Sequence, residues 1–392
     1  MRSTRSAGES AAAAPFDGFT APELGRRRAA FENVLAEHGL EHGLLYGANR
    51  SGSAVSWLTG WAVTREAHVL VTPGEPDVLL VSFFNHVPEA ARRVPQADVR
   101  FAGDAPVATL LDLLRDRGAG AASIGFVGSL PFDQHAALAE GRRLVDLRGA
   151  HTRLRLCKSA EEVAALRTAA ALTDLAVHAL VGDAVRGRTE HELVARVEHA
   201  YVSRGGLHHI HYLGVTSMHD PSRCVPAQWP SARRVEAGDV LTFEISAGVA
   251  PDYSGQLLRT VVVGEPPSTE VTRLHDVAEQ AFDAIEALLR PGVHVEKLVE
   301  AARIIEDAGF TTVDDLVHGF GGGYLPPVLG SRSRAIRPTP DIVLEAGMTL
   351  VVQPNVTRLD HRFGVQTGEL LLVTEDGAQR LHAFPRGLQR AS

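Results

Sequence analysis

His318 stands directly before a Gly-Phe-Gly-Gly-Gly stretch, 319–323, where missing side chains let the backbone approach a bound molecule closely. An imidazole titrates near neutral pH, so a histidine in this setting is suited to take up and return a proton. Glu244 lies inside Val-Leu-Thr-Phe-Glu-Ile, an apolar strand pattern that buries at least part of its carboxylate. Burial disfavours the charged form and moves the carboxyl's titration towards neutrality. Otherwise the charge needs a partner, such as Arg259 or a cationic substrate. The run His208-His209-Ile210-His211, with His219-Asp220 beyond it, invites a metal reading. Alternation along a strand puts His209 and His211 on one face. No cysteine or carboxylate joins them at tight spacing, so no metal site is expected there. The plainer readings are a structural His318 bonded to backbone and an ion-paired Glu244. Arg332, Arg334 and Arg337 form a basic loop that either clamps an anion or is simply solvated.

These groups need elements to hold them. In the first half, Arg26–His38 carries apolar positions at helical spacing and stops at Gly39. Gly43–Tyr46, Val69–Val71 and Val78–Val81 read as strands, the last two split by the Pro73-Gly74-Glu75-Pro76 turn. The helix Val107–Asp116 and the strands Ser123–Val127 and Leu144–Asp146 follow. Strands alternating with helices imply a mixed α/β domain over 16–150. A second domain over 151–392 opens with Ser159 and Glu162 spaced as a capping box, and Thr189 and Glu192 repeat the device, with Gly182–Gly187 as the turn between the two helices. After Gly205-Gly206 the chain turns strand-rich, with Val240–Ile245 and Arg259–Val263 as paired strands. Helices return at Thr272–Leu289 and Val295–Ala308, then strands at Met348–Gln353 and Glu369–Thr374. Helices then strands, twice over, describe an internal repeat and a curved antiparallel sheet covered by helices.

Bulk properties exclude several classes. The 392 residues suffice for two cores, and the 45% hydrophobic and 22% charged content is that of a globular chain. A net charge of −8 argues against a nucleic-acid partner. No run approaches the ~18 apolar residues of a membrane span. Met1–Pro15 lacks an apolar core and reads as a disordered tail rather than a secretory signal. Two cysteines, Cys157 and Cys224, make no disulfide framework. The expected compartment is the reducing cytoplasm.

The order of signals in the second half resembles the pita-bread fold of methionine aminopeptidase, aminopeptidase P, prolidase and creatinase. The first half, with Tyr46-Gly-Ala-Asn49 and Trp57-Leu-Thr-Gly60, resembles the N-terminal domain of creatinase and prolidase, and Lys158-Ser-Ala-Glu-Glu-Val163 resembles their interdomain junction. The site landmarks are Glu236–Glu244, Tyr253–Thr260, Val317–Gly321, Glu345–Pro354 and Gly364–Gly368. In metal-dependent relatives the ligands at these places are Asp, Asp, His, Glu and Glu. Here the matching positions hold Glu244, Gln256, His318, Gln353 and Gly368. Two dications need bridging carboxylates to offset their repulsion, so the resemblance with its altered ligands implies no functional metal and no cofactor. A second family histidine is matched by Leu325, the catalytic histidine of metal-free creatinase falls near Ala227, and two creatinase glutamates are matched by Leu258 and Gln353. Creatine hydrolysis is therefore not expected.

The resemblance implies a metal-independent enzyme acting on a small polar substrate, with hydrolysis of an amide or amidine C–N bond as the leading reaction. His318, Glu244 and His219 are the expected proton carriers. Gln256 and Gln353, whose amides both donate and accept, would orient the substrate, with Tyr253, Tyr324, His209 and His211 lining the pocket. Alternatives are a metal-free lyase, decarboxylase or cyclase of specialised metabolism, a non-catalytic peptide binder, and a metallo-aminopeptidase with unusual ligands. Creatinase-like relatives pair as homodimers, which would set residues near Trp61, Arg65 or Phe83 beside the partner's pocket. Neither nucleic acid nor membrane is an expected partner.

Overall fold

The computed structural model of the protein describes residues 16–49, 51–120, 122–181 and 185–392. The expected tail, 1–15, and part of the turn expected at 182–187 lie outside the described residues. Two sheets organise the chain. The first has six strands in the order β4-β3-β2-β1-β5-β6, with β1 Gly43–Ala48, β2 Glu66–Val71, β3 Asp77–Val81, β4 Ala97–Phe101, β5 Ile124–Val127 and β6 Leu144–Asp146. It is mixed: β1 runs antiparallel to β2 and parallel to β5. Cores lie on both faces, one around Phe31, Leu35 and Trp57, the other around Leu110, Leu113 and Leu138. The strand β4 and several short helices, among them Ala54–Thr59 and Phe132–Ala139, are additions to the sequence reading.

The second sheet runs β13-β12-β14-β16-β10-β8-β7. Its strands are β7 Leu207–Ser217, β8 Asp239–Ala250, β9 Tyr253–Ser254, β10 Leu257–Val263, β12 Val317–Phe320, β13 Tyr324–Leu329, β14 Thr349–Val352 and β16 Gly368–Thr374. Along that path every pairing is antiparallel. The strand β9 pairs with β8, while β11 Thr311–Thr312 pairs only with β15 Val356–Thr357. Both arms of the Ser159–Glu162 capping box form, at 2.8 and 3.2 Å, and the Thr189–Glu192 box forms likewise. These caps satisfy amides that would otherwise be orphaned at each helix start. The helices Ala160–Val181 and Glu190–Val202 cover Leu241, Phe243, Ile245 and Leu257. The helix Thr269–Glu286 covers Val317, Leu350, Val352 and Leu371. The single helix expected over Val295–Ala308 is two short ones, Glu296–Ala301 and Ile304–Asp307, because the backbone tightens to i+3 bonds at Arg303 and Ile305.

Helix Ala160–Val181 is long and apolar enough to cross a bilayer, but its apolar window is 56% buried within the protein. It is a core helix packed on β8.

Candidate active site

Cross-strand register decides which side chains meet. Directly opposed residues of paired strands project to the same face. Glu244 opposes Leu258 on β10, and Gln256 precedes Leu258 by two. Leu258 opposes Gly368 on β16, and His318 opposes Val351 on β14, two residues before Gln353. All five landmark positions therefore share one face of the sheet, beside an apolar group of Leu258, Phe320, Val351 and Leu370 that packs with Ala165 and Leu166 at the start of the helix Ala160–Val181.

Four of them converge. The Gln256 Nε2 group donates to Glu244 Oε1 at 2.8 Å and to Gln353 Oε1 at 3.1 Å, and lies 3.5 Å from His318 Nε2. All four residues are buried. The His318 Nδ1–H donates to its neighbour Gly319's carbonyl at 3.2 Å, which leaves the Nε2 lone pair facing the cluster. Tyr324 stacks on His318 at 4.4 Å between ring centroids and gives its hydroxyl proton to Asp315. The expected pocket wall at Tyr324 thus lies in the site.

Burial drives the titration of the two central groups in opposite directions. It raises the Glu244 carboxyl to about 8, helped by the negative charges of Asp314 and Asp315. Burial lowers His318 to about 4, against the pull of Gly319's carbonyl and Asp315. At neutral pH the pair is therefore a carboxylic acid and a neutral imidazole, an acid and a base separated by one amide. Arg259, named as a possible partner of Glu244, is elsewhere: it opposes Phe243 and is clamped to Glu369 at 2.6 Å. With no cation beside it among the described residues, Glu244 is neutralised by a proton instead.

The structure does not gather every residue the sequence nominated. His219 lies beyond β7, exposed, 3.0 Å from Glu265. Its strand end pairs with Asp239, roughly 16 Å along β8 from Glu244. His211 opposes Ile245, so it faces the helices, not Glu244, and meets Tyr201 at 2.9 Å. A bulge between His208 and Ile210 breaks the alternation that seemed to pair His209 with His211. His209 instead points towards Phe320, with ring centroids 5.8 Å apart. Tyr253 packs with the same apolar group, and its hydroxyl donates to Glu162 at 2.5 Å, near Arg27. In the basic loop, Arg332 and Arg337 lie beside Glu296 and Glu300, whereas Arg334 donates to Val313 O at 3.0 Å and its charge acts on Asp314.

Other site residues were missed. Tyr212 opposes Glu244 and shares its face; burial, then the charges of Glu244 and Asp314, raise its titration. Asp314, held by Asn355 at 3.3 Å, and Asp315 supply the site's negative field. The adjacent acidic pair just before His318 was the available signal.

The donor set does not fit two divalent cations. It offers one carboxyl, one imidazole and two neutral amides, and Gln256 turns its nitrogen, not its oxygen, towards the cluster. A Cβ at Gly368 would fall 2.7 Å from Val352 O and 2.8 Å from Gln353 Cβ. The backbone has closed over the place where a fifth ligand would stand. Gln256 Oε1 is buried without a hydrogen-bond partner, as are Ser246 Oγ and Ser254 Oγ. A cavity of about 520 Å³ is lined by Asn49 and Ser51 from the first half and His208, His209, Asp252 and Ser254 from the second, and by none of the four clustered side chains.

Comparison with known proteins gives a consistent picture. The family described as Metallopeptidase family M24 matches residues 164–375, more than half of the chain. A probable dipeptidase PepE of Mycobacterium tuberculosis is 32% identical over 238 residues, 60% of this chain and 61% of that one. The Xaa-Pro dipeptidase of Pyrococcus furiosus is 28% identical over 236 residues, 60% and 65% of the two chains. The match thus spans less than two thirds of the length of these relatives. Among solved structures, dipeptidase PepE from Mycobacterium ulcerans superposes with a TM-score of 0.77 at 25% identity, covering 97% of this chain and 100% of that one. An X-Pro aminopeptidase from Thermotoga maritima gives 0.79 at 20% identity, covering 93% and 99%. The fold is the pita-bread fold, with a curled antiparallel half-barrel.

Proposed function

Because this chain belongs to Metallopeptidase family M24, we propose that it hydrolyses a C–N bond, amide or amidine, in a small polar substrate, and does so without a metal centre. The observation that carries the proposal is the buried cluster, in which Gln256 Nε2 donates to Glu244 at 2.8 Å and stands 3.5 Å from His318 Nε2; burial there pushes the carboxyl up to about 8 and the imidazole down to about 4. In this reading His318 Nε2 takes a proton from the attacking water as its oxygen bonds to the substrate carbon. The C–N bond breaks as Glu244 gives its proton to the leaving nitrogen. The proton on His318 then returns to Glu244. The cavity of about 520 Å³ lined by His209 and Ser254 is of a size for a small ligand.

The test is turnover of a panel of Xaa-Pro dipeptides, small amides and guanidino compounds, with and without a chelator. Activity that survives the chelator and falls with His318→Ala supports the proposal. Chelator-sensitive activity that added metal restores in protein already carrying His208→Ala, or full activity in His318→Ala, overturns it.

We also place residues 16–150 and 151–392 in separate domains, and propose a homodimer in a reducing, cytoplasmic setting. Exposed Phe83 and Phe84, with Arg65 beside the Phe83 ring, are the surface offered to the partner. Trp61 is buried within the protein. Sedimentation of Phe84→Asp as a monomer, against a dimeric parent, is the expected result.

A further inference from the structure

On the helix-covered side of the second sheet, three metal-ligating side chains meet that the active site does not use. His208 and His211 come from β7, the edge strand, and Glu198 from the helix Glu190–Val202. In a regular strand, residues three apart point to opposite faces. Here the bulge at His209 inserts one residue, so His208 opposes Ala247 and His211 opposes Ile245, two residues of the same face. The bulge that turns His209 towards Phe320 therefore brings its two neighbouring histidines together on the other side.

The separations match a coordination polyhedron. His208 Nδ1 is 3.1 Å from His211 Nδ1, and Glu198 Oε1 is 3.2 Å from His211 Nδ1 and 3.8 Å from His208 Nδ1. Ligand atoms about 2.0–2.1 Å from a tetrahedral ion stand about 3.3 Å apart. Tyr201 OH lies 2.9 Å from His211 Nε2. A ring nitrogen bonded in this way fixes the imidazole's orientation and leaves the other nitrogen for the ion. His208 and Glu198 are partly exposed, which provides an entry path and a fourth position for water.

We propose that Glu198, His208 and His211 bind one divalent transition-metal ion, with zinc the best match, on the face of the sheet opposite Glu244 and His318. Two imidazoles and one carboxylate select zinc-like ions over calcium or magnesium, which prefer all-oxygen shells. The ion clips the edge strand to its covering helix, next to the residue, His209, that lines the cavity. Nothing in this proposal depends on the chemistry assigned to the active site.

The test uses chelator-stripped full-length protein titrated with Co²⁺ by visible absorption and with Zn²⁺ by calorimetry. One equivalent is expected, with cobalt bands of a four-coordinate site. His208→Ala, at a partly exposed position, should lose the cobalt spectrum. Glu198→Gln should weaken binding, and Tyr201→Phe should weaken it about 10- to 100-fold. Glu244→Gln and His318→Ala should leave the titration unchanged. Absence of binding, or binding that survives His208→Ala and Glu198→Gln, overturns the proposal. Binding lost in His318→Ala but not in His208→Ala places the ion elsewhere and overturns it equally.

Discussion

Replacing Glu244 by Gln removes a carboxyl that titrates at about 8 in the folded protein against 4.5 for an ordinary glutamate. Between those values the native state holds a proton that the unfolded chain has released. Stability from this group is therefore fully present below pH 4.5 and is lost as pH rises through about 8. The slope is about 1.4 kcal/mol per pH unit, and the whole shift amounts to about 5 kcal/mol. Relaxation and water penetration reduce such figures, so a measured change of a few kcal/mol is the realistic outcome. The assay is urea denaturation of parent and Glu244→Gln protein in steps from pH 5 to pH 8. The glutamine variant should gain on the parent steadily as pH rises. His318 is present in both proteins and largely cancels in the difference. A difference that stays flat across the window would mean that Glu244 is ionised when folded. The acid–base pair would then be wrong.

Four further outcomes follow from the same geometry. The rate should hold between two limbs, falling below about pH 4 as His318 gains a proton and above about pH 8 as Glu244 loses one, read from kcat/KM against pH. His318→Ala should lower kcat by about 10²- to 10⁴-fold while circular dichroism stays unchanged. Arg259→Ala strands the fully buried Glu369 charge and should cost about 3–5 kcal/mol in denaturant unfolding, tempered by Arg380, which also contacts Glu369. Gly368→Glu drives a side chain into Val352 O and Gln353 and should destabilise by about 1–3 kcal/mol rather than rebuild a ligand.

What could be read from residue order and what could not divide along a physical line. Capping boxes, strand runs and the landmark positions are local signals, and they locate the helix starts, most strands and the Glu244–Gln256–His318–Gln353 cluster. Side-chain facing is not local. One extra residue at the bulge beside His209 sends His211 to the helices, and no spacing rule applied to His208–His211 foretells it. The Glu198 carboxylate reaches the same histidines across a turn from the preceding helix. Arg259 is adjacent to the site in sequence yet faces away from it, because neighbouring strand residues alternate. His219 looked like a site residue from its type alone, whereas the strand's length carries it to the far end of the sheet.

The central claim is that the cluster of Glu244, Gln256, His318 and Gln353 is a proton-transfer site and not a cation site. Crystals of the His208→Ala protein soaked in Mn²⁺ and measured for anomalous scattering put that to the test. The account predicts no peak among these four side chains. Two peaks lying between Glu244 and His318 would contradict it.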